Sequence, residues 1–392
     1  MKTKVGIIGA GPAGLMLGQL LSMMKIENVV LEKQSQSYTE KRVRAGQIGE
    51  ATVRLLTDAG VGSRVFAEGI IHTRAKFQYD DEARYLDFHA LTGQTVTIYS
   101  QQEILKDLIN ARHKAGEISF YEVSDIEIHG INSNSPQITF CHNNQRRILE
   151  CDFVVGCDGF HGVSRAHISN ALTHFEHEYP FAWLALLAQM PPVSADVIFA
   201  NHESGLALCT MRSPSISRIY LQSGVDEDPR EWSNEKTWDL LRRRLQGGAA
   251  SFENGIFIEK TIVRLRAYVS EPMQHGRLFL AGDAAHIVPP SAAKGLNLAL
   301  ADARTLARGF DSYYSRKQED LLTAYSTCAL EQIWRDMHFS DWMVRVLHRS
   351  ECNPRFNHRL QISDLHSAMT SEHAARHFAR SYVGPAPSSL WI

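Results

Sequence analysis

An acidic turn between a predicted strand and a predicted helix is the part of this sequence that could do the most specific chemistry. Residues 277–281 read as a short strand, and residues 282–290 then present Asp283 at its end before Pro289 and Pro290 stiffen the loop. Residues 295–300 open a helix, whose first turn carries partial positive charge. Together these features form a cradle for a polar, electron-rich group, and a reduced flavin ring is such a group.

A β-hairpin predicted in the middle of the chain could bind an anion. With its turn centred on Ser215, Thr210 faces Tyr220 and Arg212 faces Arg218. All four lie on one face, because successive strand residues alternate between faces. Two arginines that face each other repel, and a carboxylate held by guanidinium, hydroxyl and phenol groups would relieve that repulsion. A solvated charged face explains the same residues equally well, so both interpretations stay open on the hairpin alone.

A glycine-rich loop near the N-terminus predicts a dinucleotide site. Gly9, Gly11 and Gly14 follow the pattern G-x-G-x-x-G between a predicted strand and a predicted helix. Two of these glycines let the backbone approach a pyrophosphate, and the third lets the helix pack on the strand. Glu32 ends the next predicted strand, where its carboxylate could hold the ribose hydroxyls of adenosine. NAD and FAD both remain candidates for this loop.

The order of predicted strands and helices that position these residues indicates an α/β protein. The chain opens with a βαβ unit, and a cluster of short strands after residue 175 has the texture of an antiparallel sheet. We expect a Rossmann-like nucleotide-binding domain of residues 1–174 and 265–320, an inserted antiparallel-sheet domain of residues 175–264 that binds substrate, and a helical C-terminal region of residues 321–392. Strands are predicted at 4–8, 28–32, 118–123, 137–140, 153–155, 181–189, 196–201, 205–211, 217–222 and 277–281, and helices at 15–24, 50–68, 102–115, 295–300 and from 321 to about 380.

Composition excludes several classes of protein. The net charge of −2 argues against a surface dedicated to nucleic acid or to an acidic membrane. The six cysteines form no C-x-x-C pair, which is typical of reduced thiols in a cytoplasmic protein, and the eighteen histidines show no metal-binding spacing. Neither a signal peptide nor an apolar stretch long enough to span a bilayer is evident, so no membrane partner is expected.

Taken together, ordered motifs along nearly the whole chain resemble those of the flavoprotein aromatic hydroxylases. The resemblance implies FAD bound non-covalently, NADPH as the hydride donor, with NADH as the alternative, and O2 as the oxidant. It also implies a small aromatic carboxylic acid as substrate, a C4a-hydroperoxyflavin as the hydroxylating species, and a homodimer. The motifs are Gly9 to Gly14, Glu32, residues 42–46, residues 157–162, residues 200–202, residues 271–277, residues 282–290 and residues 382–384.

The resemblance also implies a role for individual residues. The expected flavin contacts are Gly9, Gly11, Ala13, Gly14, Glu32, Arg42, Arg44, Gln47, Gln101, Arg218, Asp283, Gly295, Leu296 and Asn297. The expected substrate contacts are Phe199, Thr210, Arg212, Tyr220 and Pro290, and the expected catalytic residues are Tyr382, His72 and Pro290. The expected NADPH contacts are Lys33, Tyr38, Asp158, His161, Arg165 and Arg266. Lys33 stands where the family often has arginine, which would weaken the preference for the 2′-phosphate of NADPH.

One departure from the family bears on the substrate. Members that act on 4-hydroxybenzoate draw the phenol proton away through two tyrosines and a histidine; Tyr382 and His72 match two of these positions, but Phe199 replaces the tyrosine that touches the phenol. The substrate is then 4-hydroxybenzoate deprotonated by another route, or 4-aminobenzoate or an amino-hydroxybenzoate, whose amine activates the ring without losing a proton. A third interpretation is neutral drift. Lys41, Gln47, Gly49 and the pair Ser291-Ala292 also depart from the family pattern.

Two rival classes remain at this point. An NAD-dependent dehydrogenase would need only the N-terminal loop and would have no use for Asp283 and the helix after it. A flavoprotein that oxidises NADPH or senses an aromatic acid without efficient hydroxylation is compatible with Phe199. Without the resemblance, His72 would be interpreted as a surface histidine beside Ile71, and Tyr382 as a packed C-terminal aromatic residue.

Overall fold

The computed structural model describes residues 1–42, 44, 46–80, 82–245, 252 and 254–387. Val43 and Ala45, which belong to the motif at 42–46, lie outside the described residues, as does the end of the predicted helical region. The strands are β1 (Val5–Ile8), β2 (Asn28–Leu31), β3 (Gln47–Gly49), β4 (Ile70–His72), β5 (Arg74–Tyr79), β6 (Glu82–Asp87), β7 (Val96–Ile98), β8 (Ser119–Phe120), β9 (Ser124–His129), β10 (Gln137–His142), β11 (Gln145–Glu150), β12 (Phe153–Gly156), β13 (Thr173–Gln189), β14 (Val197–Ala200), β15 (Ala207–Ser213), β16 (Ile216–Ser223), β17 (Ile256–Glu271), β18 (Gln274–His275), β19 (Leu278–Leu280) and β20 (His286–Ile287). The helices are α1 (Pro12–Met23), α2 (Gln36–Lys41), α3 (Glu50–Asp58), α4 (Ser63–Glu68), α5 (Phe88–Thr92), α6 (Gln101–Ala115), α7 (Val163–His167), α8 (Asn234–Arg244), α9 (Gly295–Asp311), α10 (Asp320–Thr323), α11 (Tyr325–Leu347), α12 (Pro354–Thr370) and α13 (Glu372–Val383).

A six-stranded sheet in the order β18-β19-β12-β1-β2-β8 carries the N-terminal loop. β1 pairs in parallel with both β2 and β12, and β12 pairs in parallel with β19. All four strands are buried along their length, which explains why they read as continuous apolar runs rather than alternating ones. The strand order reverses at β1, so the Rossmann-like α/β fold is confirmed, and sheets of this kind bind ligands at such a switch point.

The predicted ligand residues follow the carboxyl ends of these parallel strands. Gly9 follows β1, Glu32 follows β2, and Asp158 and Asp283 come within three residues of the ends of β12 and β19. Because the carboxyl ends of parallel strands lie along one edge of a sheet, four motifs that are far apart in sequence converge there.

An eight-stranded sheet in the order β20-β17-β13-β16-β15-β14-β5-β6 forms a second layer. Its pairs are antiparallel except β14 with β5. The antiparallel sheet is confirmed, and it also draws strands from residues 74–87 and 286–287, outside the predicted segment 175–264. β17 runs across the predicted boundary between residues 264 and 265. The limits of the domains therefore stay a prediction.

The hairpin of β15 and β16 differs in register from the sequence prediction. Thr210 pairs with Arg218, and Leu208 pairs with Tyr220, so the predicted pairs of Thr210 with Tyr220 and of Arg212 with Arg218 were wrong. The strands close after a two-residue turn, and an irregularity between Met211 and Ser213 absorbs one residue. A shift of two residues keeps every side chain on its face, so Thr210, Arg218 and Tyr220 still share one face.

Two other predicted elements are interrupted. The helix predicted at 50–68 is split into α3 and α4, because Gly60 adopts a left-handed φ of 73° that ends the first helix. The strand predicted at 118–123 is only the two residues of β8.

The C-terminal part of the described chain is helical, as predicted, from α10 to α13. α13 returns to the second sheet, where the ring of Tyr382 lies 5.3 Å from that of Phe88 in α5. None of the helices in the described ranges combines the length and the apolar character that a bilayer crossing requires.

Candidate active site

The glycine loop after β1 leaves one side open. A Cβ atom added to Gly9 would lie 2.2 Å from the carbonyl oxygen of Cys157, and one added to Gly14 would lie 2.0 Å from the carbonyl oxygen of Gly9. Packing of the protein itself therefore requires these two glycines. At Gly11 the nearest protein atom would be 3.9 Å away, so its missing side chain leaves space that the protein does not fill. Such a gap beside the start of α1 fits a pyrophosphate that approaches the backbone closely.

Glu32 holds this loop to the end of β2. Its two carboxylate oxygens accept hydrogen bonds from the backbone N–H groups of Ala10 at 2.7 Å and Gln34 at 2.8 Å. Each oxygen keeps a further lone pair, which is available to a ribose hydroxyl.

The acidic turn after β19 is anchored from behind by a buried ion pair. Gly282 adopts a left-handed φ of 62°, and its N–H donates to Asp302 Oδ2 at 2.9 Å. The same oxygen lies 2.7 Å from His286 Nε2, and both side chains are almost fully buried. Burial alone would lower the pKa of His286, but the Asp302 carboxylate outweighs it and raises the pKa. Gly282 also packs near Ala13, since a Cβ on Gly282 would lie 3.4 Å from that of Ala13, so the two ligand loops are neighbours.

Asp283 itself is exposed, in contrast to that buried pair. Its side chain is exposed to solvent, yet protein atoms surround the cleft, and this partial loss of water raises the pKa of its carboxyl. His286, Arg44 and Arg42 act in the opposite direction because they are positively charged. The acidic turn therefore lies close enough to Arg42 and Arg44 for their charges to act on Asp283.

At the start of α9, the side chain of Asn297 forms all its hydrogen bonds with other protein groups. Its amide donates to the carbonyl oxygens of Gln47 and Ala293, and its oxygen accepts from Gly49 N–H and Thr52 Oγ1, at 2.7 to 3.1 Å. These bonds use its full hydrogen-bonding capacity. The predicted flavin contact of Asn297 would therefore be made by the backbone of the first helical turn, together with Gly295 and Leu296. The side chain instead ties β3 and α3 to α9.

Several arginines lie close together at the hairpin of the second sheet. Arg212 donates a hydrogen bond to the carbonyl oxygen of Arg44, and burial followed by the neighbouring Arg218 lowers the pKa of its guanidinium. Arg218 is 8% exposed, lies 3.7 Å from Glu259, and leaves its Nε and Nη1 groups without a hydrogen-bond partner among the described residues. A buried guanidinium with unused donors is costly unless an anion binds nearby. This observation favours the anion interpretation of the hairpin over a solvated face.

A pocket beside these arginines gathers the predicted substrate residues. It holds about 600 Å³ of space between protein atoms, counted together with the solvent at its open mouth. Its lining is mostly apolar. The lining residues are Gly46, Gln47, Ile98, Trp183, Val197, Phe199, Leu208, Thr210, Met211, Arg212, Arg218, Tyr220, Pro290, Ser291, Ala292, Ala293 and Tyr382.

Sheet register gives this pocket two chemically different ends. Phe199, Leu208 and Tyr220 are direct partners across β14, β15 and β16. Neighbouring strands lie about 5 Å apart, so Phe199 and Tyr220 are separated by about 10 Å. Along β15, Thr210 and Arg212 follow Leu208 toward the hairpin turn, and Arg218 pairs with Thr210, which makes this the polar, cationic end. Phe199 marks the apolar end.

Aromatic rings close the apolar end. The ring of Phe199 stacks on Phe77 at 5.0 Å and meets the edge of Tyr382 at 6.2 Å. Tyr382 is 2% exposed, and its hydroxyl donates to Gln47 Oε1 at 3.1 Å. Burial raises the pKa of Tyr382, so its hydroxyl holds its proton firmly.

His72 is buried in β4, so the interpretation as a surface histidine was wrong. Neither ring nitrogen has a hydrogen-bond partner within the described ranges, and burial lowers the pKa of the imidazole. A neutral imidazole can both accept and donate a proton. No tyrosine hydroxyl among the described residues is hydrogen-bonded to His72, and its catalytic role stays a prediction.

The predicted NADPH contacts fall into separate groups. Arg165 lies over the ring of Phe160 at 4.3 Å, Arg266 lies over the same ring at 4.8 Å, and the exposed His161 is adjacent. Asp158 is turned inward, where burial raises its pKa while the N–H and hydroxyl of Ser164 bind Oδ2 at 3.0 Å.

The remaining predicted contacts lie on the nucleotide side. Lys33 and Tyr38 are exposed near β2, on the side of the chain that carries Glu32. Gln101 begins α6 beside Gly46, because a Cβ on Gly46 would lie 2.3 Å from the Cα of Ser100.

Two residues that received no role from the sequence stand out, one in the pocket lining and one bound to the backbone of Tyr382. Trp183 lines it from β13 and donates to His348 Nε2 at 2.6 Å. It was hidden within an apolar run, although period-two alternation of that strand could have pointed to it. Lys294 is 4% exposed and donates to the carbonyl oxygen of Tyr382 at 3.0 Å, and burial lowers its pKa. A lysine between two small residues just before a helix is its only sequence signal.

Comparison with known proteins shows which dinucleotide binds at the carboxyl ends of the parallel strands. A family model described as "FAD binding domain" matches residues 2–340. The chain belongs to this FAD-binding family. It is 43% identical over 387 residues to "p-hydroxybenzoate hydroxylase" of Acinetobacter baylyi, a match that covers 98% of this chain and 96% of that protein. It is therefore a flavoprotein aromatic hydroxylase, a flavin-dependent monooxygenase with FAD as cofactor and NAD(P)H and O2 as co-substrates.

More distant comparisons agree on the fold. The chain is 25% identical over 332 residues to "3-(3-hydroxy-phenyl)propionate/3-hydroxycinnamic acid hydroxylase 2" of Burkholderia vietnamiensis and spans 56% of that protein. The solved structure of p-nitrophenol 4-monooxygenase from Pseudomonas putida aligns with a TM-score of 0.80 at 18% identity, over 98% of this chain and 99% of that one. The gap at Gly11, the exposed Asp283 and the first turn of α9 suit FAD. The rival interpretation as an NAD-dependent dehydrogenase was wrong.

Proposed function

We propose that this hydroxylase acts on a benzoate that carries an amino or hydroxyl group in the para position, and that it hydroxylates the ring carbon next to that group. The observation that carries the proposal is the pocket with two different ends. Its cationic end holds Arg212 and Arg218, and its other end is closed by Phe199 and Tyr382. A flat ring with an anion at one end and a small polar group at the other matches this arrangement.

The cationic end would hold the carboxylate. Arg212 offers a forked guanidinium, and Thr210 and Tyr220 offer hydroxyl donors on the same face of the hairpin. An anion here would also relieve the unused donors of Arg218. The similarity to p-hydroxybenzoate hydroxylase over nearly the full length supports a benzoate in this position.

The closed end favours an amine over a hydroxyl group as the para substituent. A phenol becomes a strong electron donor only when it loses its proton, and Phe199 offers no group that could accept that proton. An aromatic amine donates its lone pair while neutral, so it needs no proton relay. We therefore infer that 4-aminobenzoate or an amino-hydroxybenzoate is the preferred substrate, with 4-hydroxybenzoate as the second candidate.

The chain's own residues have limited tasks in this reaction. FAD, when bound, supplies the activation of O2, for which the family resemblance implies a C4a-hydroperoxide. Arg212 and its neighbours orient the ring, Phe199 and Phe77 exclude water from its far end, and Pro290 lines the pocket beside the acidic turn. Arg165, Arg266 and Lys33 would contact the reduced nicotinamide nucleotide, and Lys33 would bind a 2′-phosphate less specifically than arginine does.

A substrate panel on the wild type, Phe199→Tyr and Phe199→Leu tests this proposal. NADPH consumption and hydroxylated product are measured together for 4-aminobenzoate, 4-hydroxybenzoate and an amino-hydroxybenzoate. We expect the amines to give the higher kcat/KM in the wild type. Phe199→Tyr should raise kcat/KM for 4-hydroxybenzoate by roughly tenfold or more, because a positioned proton acceptor contributes on that scale.

Each alternative gives a different result in this panel. Phe199→Leu, which is apolar without a hydroxyl, should not reproduce the gain of Phe199→Tyr. Equal turnover of 4-hydroxybenzoate and the best amine by the wild type would reject the amine preference. NADPH consumption without product for every benzoate would identify an oxidase or sensor and reject the hydroxylase proposal.

A further inference from the structure

Gln47 is the polar side chain that meets Tyr382 at the closed end of the pocket. Its Oε1 accepts the hydrogen of the Tyr382 hydroxyl at 3.1 Å. The backbone of Gln47 is fixed on both sides, since it pairs with Ile98 in β7 and its carbonyl oxygen accepts from Asn297 Nδ2 at 3.1 Å. The Cα of Gln47 is therefore fixed, and the hydrogen bond to Tyr382 orients its side-chain amide.

This contact decides what Tyr382 offers to a ligand. A phenolic hydroxyl has one hydrogen to donate and lone pairs to accept with. Because its hydrogen points at Gln47, the oxygen of Tyr382 is left as an acceptor only. The other aromatic ring that meets Tyr382 on the pocket wall, that of Phe199, is apolar and offers a phenolate no hydrogen-bond donor.

An acceptor in this position distinguishes between para substituents. A neutral amine or an un-ionised phenol donates to it, whereas a phenolate oxygen repels it and finds no donor from the tyrosine. The cationic groups lie at the other end, with Arg212 on β15 and Arg218 on β16, one and two strands from Phe199 on β14, and they bind the carboxylate in the proposed complex.

We propose that Gln47 is a specificity-determining residue, which turns the Tyr382 hydroxyl into an acceptor and thereby selects neutral hydrogen-bond donors at the para position over phenolates. The proposal rests on the proposed function, in that the ligand is a para-substituted benzoate. The role of Gln47 goes beyond the proposed function, because the choice between para substituents is assigned to a residue that takes no part in the reaction itself.

A double-mutant cycle on the FAD-loaded protein tests this role. The variants are Gln47→Leu, which keeps the size and removes the acceptor, Tyr382→Phe, and the two combined. Dissociation constants for 4-aminobenzoate and 4-hydroxybenzoate are measured from the change in flavin absorbance. The ionisation of bound 4-hydroxybenzoate is read from its ultraviolet spectrum at about pH 8, some two units below the ordinary pKa of a phenol.

We expect the wild type to bind the amine more tightly and to keep bound 4-hydroxybenzoate un-ionised. Gln47→Leu should reduce the preference for the amine by roughly three- to tenfold, the usual effect of one hydrogen bond, and should increase the phenolate fraction. In the Tyr382→Phe background the same substitution should change the preference by less than about twofold. FAD content and thermal unfolding report on the fold of each variant.

The outcomes separate this role from the proposed function. Unchanged preference and ionisation in Gln47→Leu, with binding retained, would overturn the role of Gln47 and leave the proposed function standing. A mainly ionised 4-hydroxybenzoate in the wild type would also overturn it, because the amide would then donate to the tyrosine. Absence of binding by every benzoate would overturn both. The expected binding pattern without hydroxylated product would support Gln47 and reject the proposed reaction.

Discussion

Replacing Asp302 by asparagine should reverse the pH dependence of stability. Asp302 Oδ2 lies 2.7 Å from His286 Nε2 and accepts from the Gly282 N–H at 2.9 Å, in a fully buried setting. The pKa of His286 is raised above its unfolded value of about 6.5. The folded protein therefore binds this proton more tightly. Its contribution to stability is fully present below about pH 6.5 and is lost as the pH rises through the folded pKa.

In Asp302→Asn the largest attraction on His286 is gone, and burial lowers the pKa of the imidazole below its unfolded value. The variant should then lose stability as the pH falls through about 6.5. Removing one partner of a buried pair costs about 3–5 kcal/mol, so we expect Asp302→Asn to lose about 3 kcal/mol of stability at acid pH. At alkaline pH the asparagine oxygen still accepts from Gly282, and the loss should be about 1 kcal/mol.

Urea unfolding of the FAD-loaded protein, followed by flavin fluorescence at about pH 6 and about pH 9, measures both values. Asp364→Asn is the matched control, because this exposed aspartate on α12 should show no such dependence. A loss of stability in Asp302→Asn that differs by less than about 0.5 kcal/mol between the two conditions would refute the ion-pair reasoning.

Two further predictions concern the ligand loops and the cationic end of the pocket. Gly14→Ala should fail to yield folded flavoprotein, because its Cβ would lie 2.0 Å from a backbone oxygen. Gly11→Ala should fold with normal thermal stability and bind FAD weakly, because its Cβ would enter the space left for the cofactor. Equal FAD affinity of Gly11→Ala and the wild type would contradict this explanation. Arg212→Met should raise the dissociation constant of 4-aminobenzoate by roughly 10- to 100-fold, the effect of a lost charged hydrogen bond, and should leave that of aniline, which has no carboxylate, unchanged. An equal loss for both ligands would show that Arg212 supports the pocket without binding the carboxylate.

Local patterns in the sequence determined much of this protein. The spacing of Gly9, Gly11 and Gly14, the glutamate that ends the second strand and the acidic turn at Asp283 each express a local backbone requirement, which a local pattern can predict; their contacts with FAD stay predictions. Alternation along the hairpin placed Thr210 and Tyr220 on one face, because a register error of two residues does not change the face.

Tertiary structure alone decided three further features. The register of the hairpin depends on an irregularity near Met211, and no alternating pattern encodes it. The flavin contact of Asn297 stays a prediction for its backbone, because its side chain contacts residues about 250 positions away in sequence. The partner of Tyr382 is Gln47, 335 residues earlier in the chain. Strand order and helix packing bring such residues together, and a hydrogen bond between them leaves no periodic signal in the sequence.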